Sequence, residues 1–256
     1  MSGKLQDKFV LITGSGRGLG ATLAIGVADE GAHVAVHYNT SAEGAERVAE
    51  QIRARGRQSF TVQGDISKLA DVQRIAETVF AKFGRLDALV NNVGDMAVQQ
   101  TSWRQLSEPL IDHILAVDIK GTMFMVHEIG SRMVEQGSGS IVNIGSRVVV
   151  AGSPRAPQYA AAKYGIIGIT KSYALALAPA VRVNTLGPGF IETETLKNRQ
   201  DWKSGRREKI LSSTPLGRIA QPTDIVGPVV FLASEDSRHM TGVFLLCDGG
   251  LSMVGA

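Results

Sequence analysis

The chain of 256 residues contains a single cysteine, Cys247. One thiol cannot form a disulfide within the chain, and it supplies too few ligands for a cysteine-based zinc site. The five histidines are scattered, and only His33 and His37 lie close together, in one strand-like run. We therefore expect no metal site and a reducing, cytoplasmic location.

Long apolar runs and a strong excess of one charge are also absent. No run approaches the roughly 18 residues of a membrane-spanning helix, and residues 1–8 hold no hydrophobic signal segment. The net charge of +3 does not by itself indicate a nucleic-acid partner. The densest basic stretch, residues 197–209, fits either an anionic partner or a solvated loop and helix, and its acids Asp201 and Glu208 favour the second. We expect neither a membrane nor a nucleic-acid partner.

Short β-branched runs alternate with segments of helical spacing along the chain, without repeats or low-complexity linkers. The predicted strands are 9–13, 33–38, 59–63, 88–91, 140–144, 181–186 and 243–247. The predicted helices are 18–30, 42–55, 69–83, 107–136 with a break near Val117, 157–178, and a last one from Thr223 to Ser234. Strands that are apolar on both faces and separated by helices predict an α/β fold. We expect one doubly wound domain with a mostly parallel seven-stranded sheet and helices on both faces.

The first predicted strand runs directly into a glycine-rich loop, which is followed at once by the first helix. Glycines let the backbone approach a pyrophosphate, and the helix amino end supplies N–H groups. Such a loop also fits an ordinary tight turn, but its place between the first strand and first helix favours a dinucleotide. The candidate phosphate-binding residues are Gly14, Ser15, Gly16, Arg17, Gly18, Leu19 and Gly20.

The end of the second predicted strand indicates which dinucleotide is preferred. An acid at this point binds the adenosine ribose of NAD, whereas here the residues are Tyr38, Asn39 and Thr40, and no carboxylate follows until Glu43. Arg17 offers a guanidinium to a 2′-phosphate, unless it is a solvated loop residue. We therefore expect NADP(H) to be preferred over NAD(H).

A tyrosine and a lysine lie one helical turn apart at the start of the fifth predicted helix. Tyr159 and Lys163 share a face, and Ser146 lies just past the strand 140–144. A phenol, with a reference pKa of about 10, is a poor base at neutral pH, and a nearby cation favours the phenolate. Taken alone, this pair is more typical of a surface helix.

Six motifs, in order and spacing, resemble the short-chain dehydrogenase/reductase family over essentially the whole chain. They are the loop 13–20, Asp65, the run 91–94, Ser146, the pair Tyr159 and Lys163, and the run 188–193. The chain looks most similar to the 3-oxoacyl-(acyl carrier protein) reductase branch. The resemblance implies a single Rossmann-type domain over residues 1–256, with a cofactor half of about 1–140 and a catalytic and lid half of about 141–256.

The resemblance also implies a role for each site residue. Tyr159 is the general acid in reduction and the base in oxidation, Ser146 binds the substrate oxygen, and Lys163 holds the nicotinamide ribose and tunes Tyr159. The remaining cofactor contacts that it implies are Tyr38, Asn39, Thr40, Asp65, Ile66, Asn91, Gly94, Pro188, Gly189, Ile191 and Thr193.

Asp118 stands where this family usually has an asparagine, in the run 116–121. In the family, that position helps to hold a water chain to the lysine, partly through its backbone carbonyl, which Asp118 keeps. We include Asp118 among the catalytic residues and expect activity with a shifted pH optimum. Val93, in place of the usual alanine, narrows the space beside the cofactor.

Carrier-protein reductases of this branch place basic residues at the end of the long helix and on the helix that bears the lysine. The corresponding runs 133–139 and 172–178 contain neither arginine nor lysine. We therefore predict an NADPH-dependent ketone or aldehyde reductase with a small or medium apolar substrate and a pocket lined by residues 95–100, 147–151 and 190–211.

Three other functions remain open. They are a 3-oxoacyl-(acyl carrier protein) reductase, a cofactor-binding regulator without catalysis, and nucleic-acid binding through residues 197–209. The family also implies a homotetramer that pairs the long helices across subunits; the alternative is that these helix faces are buried within one subunit.

Overall fold

The computed structural model describes residues 3–94 and 102–253. Within these residues, seven strands form one sheet with the order β3-β2-β1-β4-β5-β6-β7, and every neighbouring pair is parallel. The strands are β1 (Phe9–Ile12), β2 (His33–Tyr38), β3 (Ser59–Gln63), β4 (Ala88–Asn91), β5 (Gly139–Ile144), β6 (Val181–Pro188) and β7 (Phe244–Cys247). The predicted doubly wound α/β fold is confirmed.

Ten α-helices accompany the strands in the described part of the chain. They are α1 (Gly18–Asp29), α2 (Ala42–Arg53), α3 (Leu69–Phe83), α4 (Glu108–Ile114), α5 (Thr122–Gln136), α6 (Val148–Ala151), α7 (Pro157–Ala176), α8 (Glu194–Lys197), α9 (Arg207–Ser213) and α10 (Val226–Ala233). None of these helices is long and apolar enough to cross a membrane.

The two faces of the sheet are covered by two separate apolar layers. Along β1, Val10 and Ile12 pack into the layer under α1, α2 and α10, whereas Leu11 packs into the layer under α3, α5 and α7. This alternation follows from the two-residue period of a strand. It explains why the strands read as continuous apolar runs in the sequence.

Three predicted features differ from the structure for identifiable reasons. Strand β6 extends two residues beyond 186 because Gly187 and Pro188 pair with the end of β7. The expected break near Val117 is a continuous π-helical segment, Leu115–Gly121, between α4 and α5. The predicted last helix begins as a 3₁₀ turn, Pro222–Ile225, before α10.

The order of the strands reverses between β1 and β4, which places a crevice at their carboxyl ends. Asn92 joins the two ends, because its N–H donates to Thr13 Oγ1 at 2.9 Å and its side-chain amide donates to Thr13 O at 3.0 Å. The candidate residues from the sequence follow these and the neighbouring strands.

Candidate active site

The glycine-rich loop leaves β1 in a turn that only glycine adopts easily, since Gly14 has φ +64°. A Cβ added at Gly14 would also lie 2.9 Å from Val93 Cγ2, so Val93 packs directly against this loop. Helix α1 begins at Gly18 with no acidic residue in its first turn. Its amino end therefore keeps a positive dipole and N–H groups that suit an anion.

His37, near the end of β2, ties this loop to the neighbouring strands. Its Nδ1 accepts from the Gly14 N–H at 3.0 Å, and its Nε2 donates to Gly64 O at 3.0 Å. Its backbone N–H donates to Ser15 Oγ, and its backbone carbonyl accepts from the Ser15 N–H. Burial lowers the pKa of His37 from 6.5 to about 4, so the ring is neutral. Sequence reasoning missed this role, although a histidine in a buried strand beside the loop was a visible signal.

The adenosine end of the crevice contains no carboxylate from β2. Tyr38 is half-buried, Asn39 and Thr40 are exposed, and Arg17 is exposed at the residue before α1. After β3, the Asp65 carboxylate accepts from the N–H of Ser67 at 3.0 Å and from its hydroxyl at 2.7 Å.

Ile66 and Asn91 turn their side chains into the protein. The Ile66 side chain is buried in the core. The Asn91 amide donates to Asn143 Oδ1 at 2.9 Å, and the buried Asn91 Oδ1 has no hydrogen-bond partner among the described residues.

The carboxyl end of β5 brings the predicted catalytic residues together. Ser146 lies two residues after β5, and its Oγ accepts from the Val148 N–H at 3.3 Å. The buried Lys163 Nζ donates to the Ile144 carbonyl at 3.3 Å and lies 5.6 Å from the centre of the Tyr159 ring. Proline at the first position of α7 sets the start of the helix that carries both Tyr159 and Lys163.

Asp118 lies on the inner side of the π-helical segment, fully buried, with Oδ1 at 3.5 Å from Lys163 Nζ. A Cβ added at Gly94 would fall 2.7 Å from Asp118 Oδ1 and 2.8 Å from Lys163 Nζ. The exposed Gly94 therefore covers this buried ion pair, and a side chain at position 94 would push against both charged groups.

The carboxyl end of β6 is fixed by backbone hydrogen bonds. Pro188 O accepts from the Arg147 N–H, and the Gly189 N–H donates to Cys247 O, both at 2.9 Å. Ile191 and Ala220 form an isolated parallel β-bridge. Thr193 caps α8, since its Oγ1 accepts from the Leu196 N–H at 3.3 Å.

The predicted lid segment follows Gly189, and its side chains form an apolar cluster of Phe190, Leu196, Trp202, Ile210, Leu211 and Ile219. The predicted pocket walls at 147–151 form α6 and the residue before it, with Val150 exposed and Val148 and Val149 half-buried. The third predicted wall, residues 95–100, lies outside the described residues.

Three comparisons with known proteins agree with this architecture. A family model described as Enoyl-(Acyl carrier protein) reductase matches residues 14–252. The chain is 36% identical over 249 residues to the 3-oxoacyl-(acyl-carrier-protein) reductase FabG of Staphylococcus aureus (strain N315), covering 97% of this chain and 99% of the relative. It is 34% identical over 250 residues to the L-rhamnose 1-dehydrogenase (NAD(P)(+)) of Sphingomonas sp. (strain SKA58), covering 96% and 97%.

Among solved structures, a gluconate 5-dehydrogenase from Burkholderia cenocepacia J2315, in complex with NADP and tartrate, superposes with a TM-score of 0.91. The two are 29% identical, and the match covers 98% of this chain and 97% of the other. The chain belongs to the short-chain dehydrogenase/reductase family of oxidoreductases, which bind a nicotinamide cofactor and act on CH–OH and C=O groups.

Proposed function

We propose that this chain is an NADP(H)-dependent oxidoreductase that interconverts a ketone or aldehyde and an alcohol, with Tyr159 as general acid and base. The observation that carries the proposal is the position of the buried Lys163 ammonium, held by Ile144 O within 5.6 Å of the centre of the Tyr159 ring. A fixed cation beside a phenol stabilises the phenolate that proton transfer creates.

The residues divide the chemistry between them. When bound, the nicotinamide exchanges a hydride with the carbonyl carbon. In reduction, the Tyr159 hydroxyl gives its proton to the carbonyl oxygen, and in oxidation the phenolate takes it back. The Ser146 hydroxyl donates a hydrogen bond to the same oxygen, on which negative charge develops. Lys163 stabilises the phenolate and binds the nicotinamide ribose.

The crevice fits a dinucleotide in two respects. The first turn of α1 contains no acidic residue, and Gly94 exposes its backbone beside the ion pair of Lys163 and Asp118. In this proposal Asp65, Ile66 and the residues 188–193 complete the cofactor site, with Ile66 contributing through its backbone. The cofactor half is about 1–140.

NADP(H) preference is supported by the exposed Arg17 and by the lack of a carboxylate at residues 38–40. NADP in the gluconate 5-dehydrogenase complex also supports it. We expect Arg17→Ala to lower kcat/KM for NADPH about tenfold or more, as for the loss of a charge-assisted phosphate contact, with little change for NADH. Arg238→Ala, an exposed arginine after α10, is the matched control. Equal losses for both cofactors would refute the preference.

The proposed function is tested by NADPH oxidation with a panel of ketones and aldehydes. Tyr159→Phe should lower kcat about 100-fold or more while cofactor binding, followed by nicotinamide fluorescence, is retained. Tyr164→Phe, on the exposed side of the same helix, should keep the wild-type rate. A fully active Tyr159→Phe, or cofactor binding without turnover of any carbonyl, would overturn the proposal and favour a non-catalytic regulator.

A 3-oxoacyl-(acyl carrier protein) reductase is the second candidate, favoured by the 36% identity to FabG. The helix surfaces argue against it. The last turn of α5 has no basic residue, and the Arg132 guanidinium lies over the Phe80 ring, 5.6 Å from its centre. Lys171 on α7 is exposed and is a single positive charge. An acidic carrier would therefore meet little positive charge here.

We further propose a homotetramer in the cytoplasm. Apolar side chains on the outer faces of α5 and α7 are exposed in the single chain, namely Met123, Val134, Tyr164 and Leu175. Exposed apolar side chains on two long helices support a subunit interface on this side of the chain.

A further inference from the structure

Three arginines converge on one carboxylate in the lid. Arg199 binds Asp201 through two N–H groups, at 2.8 Å and 3.0 Å, and Arg206 donates to Asp201 Oδ2 at 2.7 Å. Arg155, from the segment before α7, donates to the same oxygen. All four side chains are half-buried or more.

The cluster carries more positive than negative charge. Among the described residues, no second carboxylate lies within ion-pairing distance of Arg155, Arg199 or Arg206. Burial raises the pKa of Asp201, but hydrogen bonds from Arg199 and Arg155 outweigh this and hold the pKa below its usual value. One ionised carboxylate therefore faces three guanidinium groups, and two positive charges remain uncompensated in a partly desolvated place, where they repel each other.

The unused hydrogen-bond donors of the cluster also indicate that an anion can bind there. Arg155 and Arg206 each donate a single hydrogen bond to Asp201, and their remaining N–H groups make no hydrogen bond within the described residues. The indole Nε1 of the adjacent, buried Trp202 also has no partner there. A planar anion such as a carboxylate would accept two parallel hydrogen bonds from the N–H groups of one guanidinium.

The cluster is connected to the proposed catalytic residues through the chain at Arg155 and through ring contacts at Phe190. Arg155 lies four residues before Tyr159, in the segment between Ser146 and α7. The Arg206 guanidinium lies 5.2 Å from the centre of the Phe190 ring, and that of Arg147, the residue after Ser146, lies 5.7 Å from the same ring.

We infer that Arg155, Arg199 and Arg206 bind a carboxylate of the substrate, so that the enzyme interconverts an oxo acid and a hydroxy acid. A carboxylate is the anion that the cluster already accommodates, since Arg199 holds Asp201 in two-pronged geometry. The valines of α6 then face the carbon chain between carbonyl and carboxylate. This inference rests on the proposed oxidoreductase function, and it replaces the apolar substrate expected from the sequence.

The test compares ketones that differ only in charge, offered with NADPH and with NADH. The pairs are 3-oxobutanoate and 3-oxobutanamide, 4-oxopentanoate and 4-oxopentanamide, and 5-oxohexanoate and 5-oxohexanamide. In at least one pair the acid should have a kcat/KM about tenfold or more above that of the amide, mainly through a lower KM.

Variants assign the preference to the cluster. Arg206→Gln should bring the ratio of acid to amide to within about twofold, and Arg155→Gln, which removes a guanidinium without a ring contact, should do the same. Lys209→Gln removes one charge from the exposed side of α9 and should keep the wild-type ratio. Thermal unfolding checks that each variant is folded, and the ratio is read from those that are.

The results distinguish a failure of the carboxylate site from a failure of the proposed function. Equal use of acid and amide in every pair, or an acid preference that survives in both arginine variants, overturns the carboxylate site. If only unrelated neutral ketones are reduced, the acids and amides are compared as inhibitors, and equal inhibition constants overturn it, whereas stronger inhibition by the acid supports it. If no carbonyl compound is reduced with either cofactor, the proposed function itself fails.

Discussion

Lys163 lies between the Tyr159 phenol and the Asp118 carboxylate, which have opposite effects on how its positive charge acts. In the proposed mechanism a positive charge near Tyr159 stabilises its phenolate, whereas the Asp118 carboxylate, 3.5 Å from Nζ, compensates that charge. In a buried setting both interactions are weakly screened. The net pull of Lys163 on the phenol is therefore smaller than it would be beside an asparagine.

Asp118→Asn removes the compensating charge while keeping the shape of the side chain. We expect the pH–rate profile of alcohol oxidation to move to lower pH, because the phenolate then faces the whole ammonium charge. The free energy of unfolding should fall by about 1–3 kcal/mol, since a buried charged partner is lost. Asp112→Asn, an exposed position on α4, is the control. If the profile and the rate are unchanged, Asp118 has only a structural role.

His37 predicts how stability depends on pH. Its pKa is about 4 in the folded chain against an ordinary 6.5, so between these values the unfolded chain binds a proton that the folded chain does not. The free energy of unfolding should therefore fall as the pH drops from 6.5 to 4, by about 3 kcal/mol in all, and level off below.

Urea unfolding at several pH values between 7 and 4 measures this contribution. His37→Gln should be less stable at pH 7 and should lose this part of the pH dependence. His239→Gln, an exposed histidine, should keep it. The same slope in His37→Gln and in the wild type would contradict the assignment.

At the scale of elements, the π-helical segment determines which side chain enters the proposed catalytic site beside Lys163. Its wider turn continues the helix from α4 into α5 while burying Asp118 and leaving Leu115 and Lys120 exposed. A pattern of apolar spacings shows only that the helical period is disturbed near Val117. Which side chain the disturbance buries depends on α7, which packs against it.

The surfaces of α5 and α7 also predict the response to a carrier protein. One 3-oxoacyl group is offered at equal concentration on acyl carrier protein and on a small thiol, and NADPH oxidation is followed. We expect the small thioester to be used equally well or better, because Arg132 is stacked on Phe80. A strong preference for the carrier-bound form would contradict this reasoning and favour the second candidate function.

At the scale of the whole molecule, the same two helices predict assembly. Leu175 on α7 is 83% exposed in the single chain, which is unusual for a leucine on a long helix. Light scattering should give a mass of about four chains of 27.2 kDa for the wild type and a smaller one for Leu175→Glu. Leu69→Glu, at the start of α3, should keep the wild-type mass. A monomeric wild type would refute the tetramer.

The order of strands and helices was predictable from the sequence because each element is specified within its own few residues, through apolar spacing and terminal glycines and prolines. β2, β3, β4 and α3 match their predicted bounds. The resemblance supplied the proposed roles of Ser146, Tyr159 and Lys163, and the helical spacing of the last two made a shared face foreseeable.

Contacts between distant parts of the chain were decided only by the tertiary structure. His37 reaches Gly14 and Gly64, Asp118 reaches Lys163, and Arg155 reaches Asp201, each across 23 residues or more. Local patterns show that such side chains are polar, but burial and the neighbours that folding brings together determine their charge balance. The residues 197–209 therefore read as a solvated basic stretch in the sequence, whereas in the fold they contribute two of the three arginines that surround a single carboxylate.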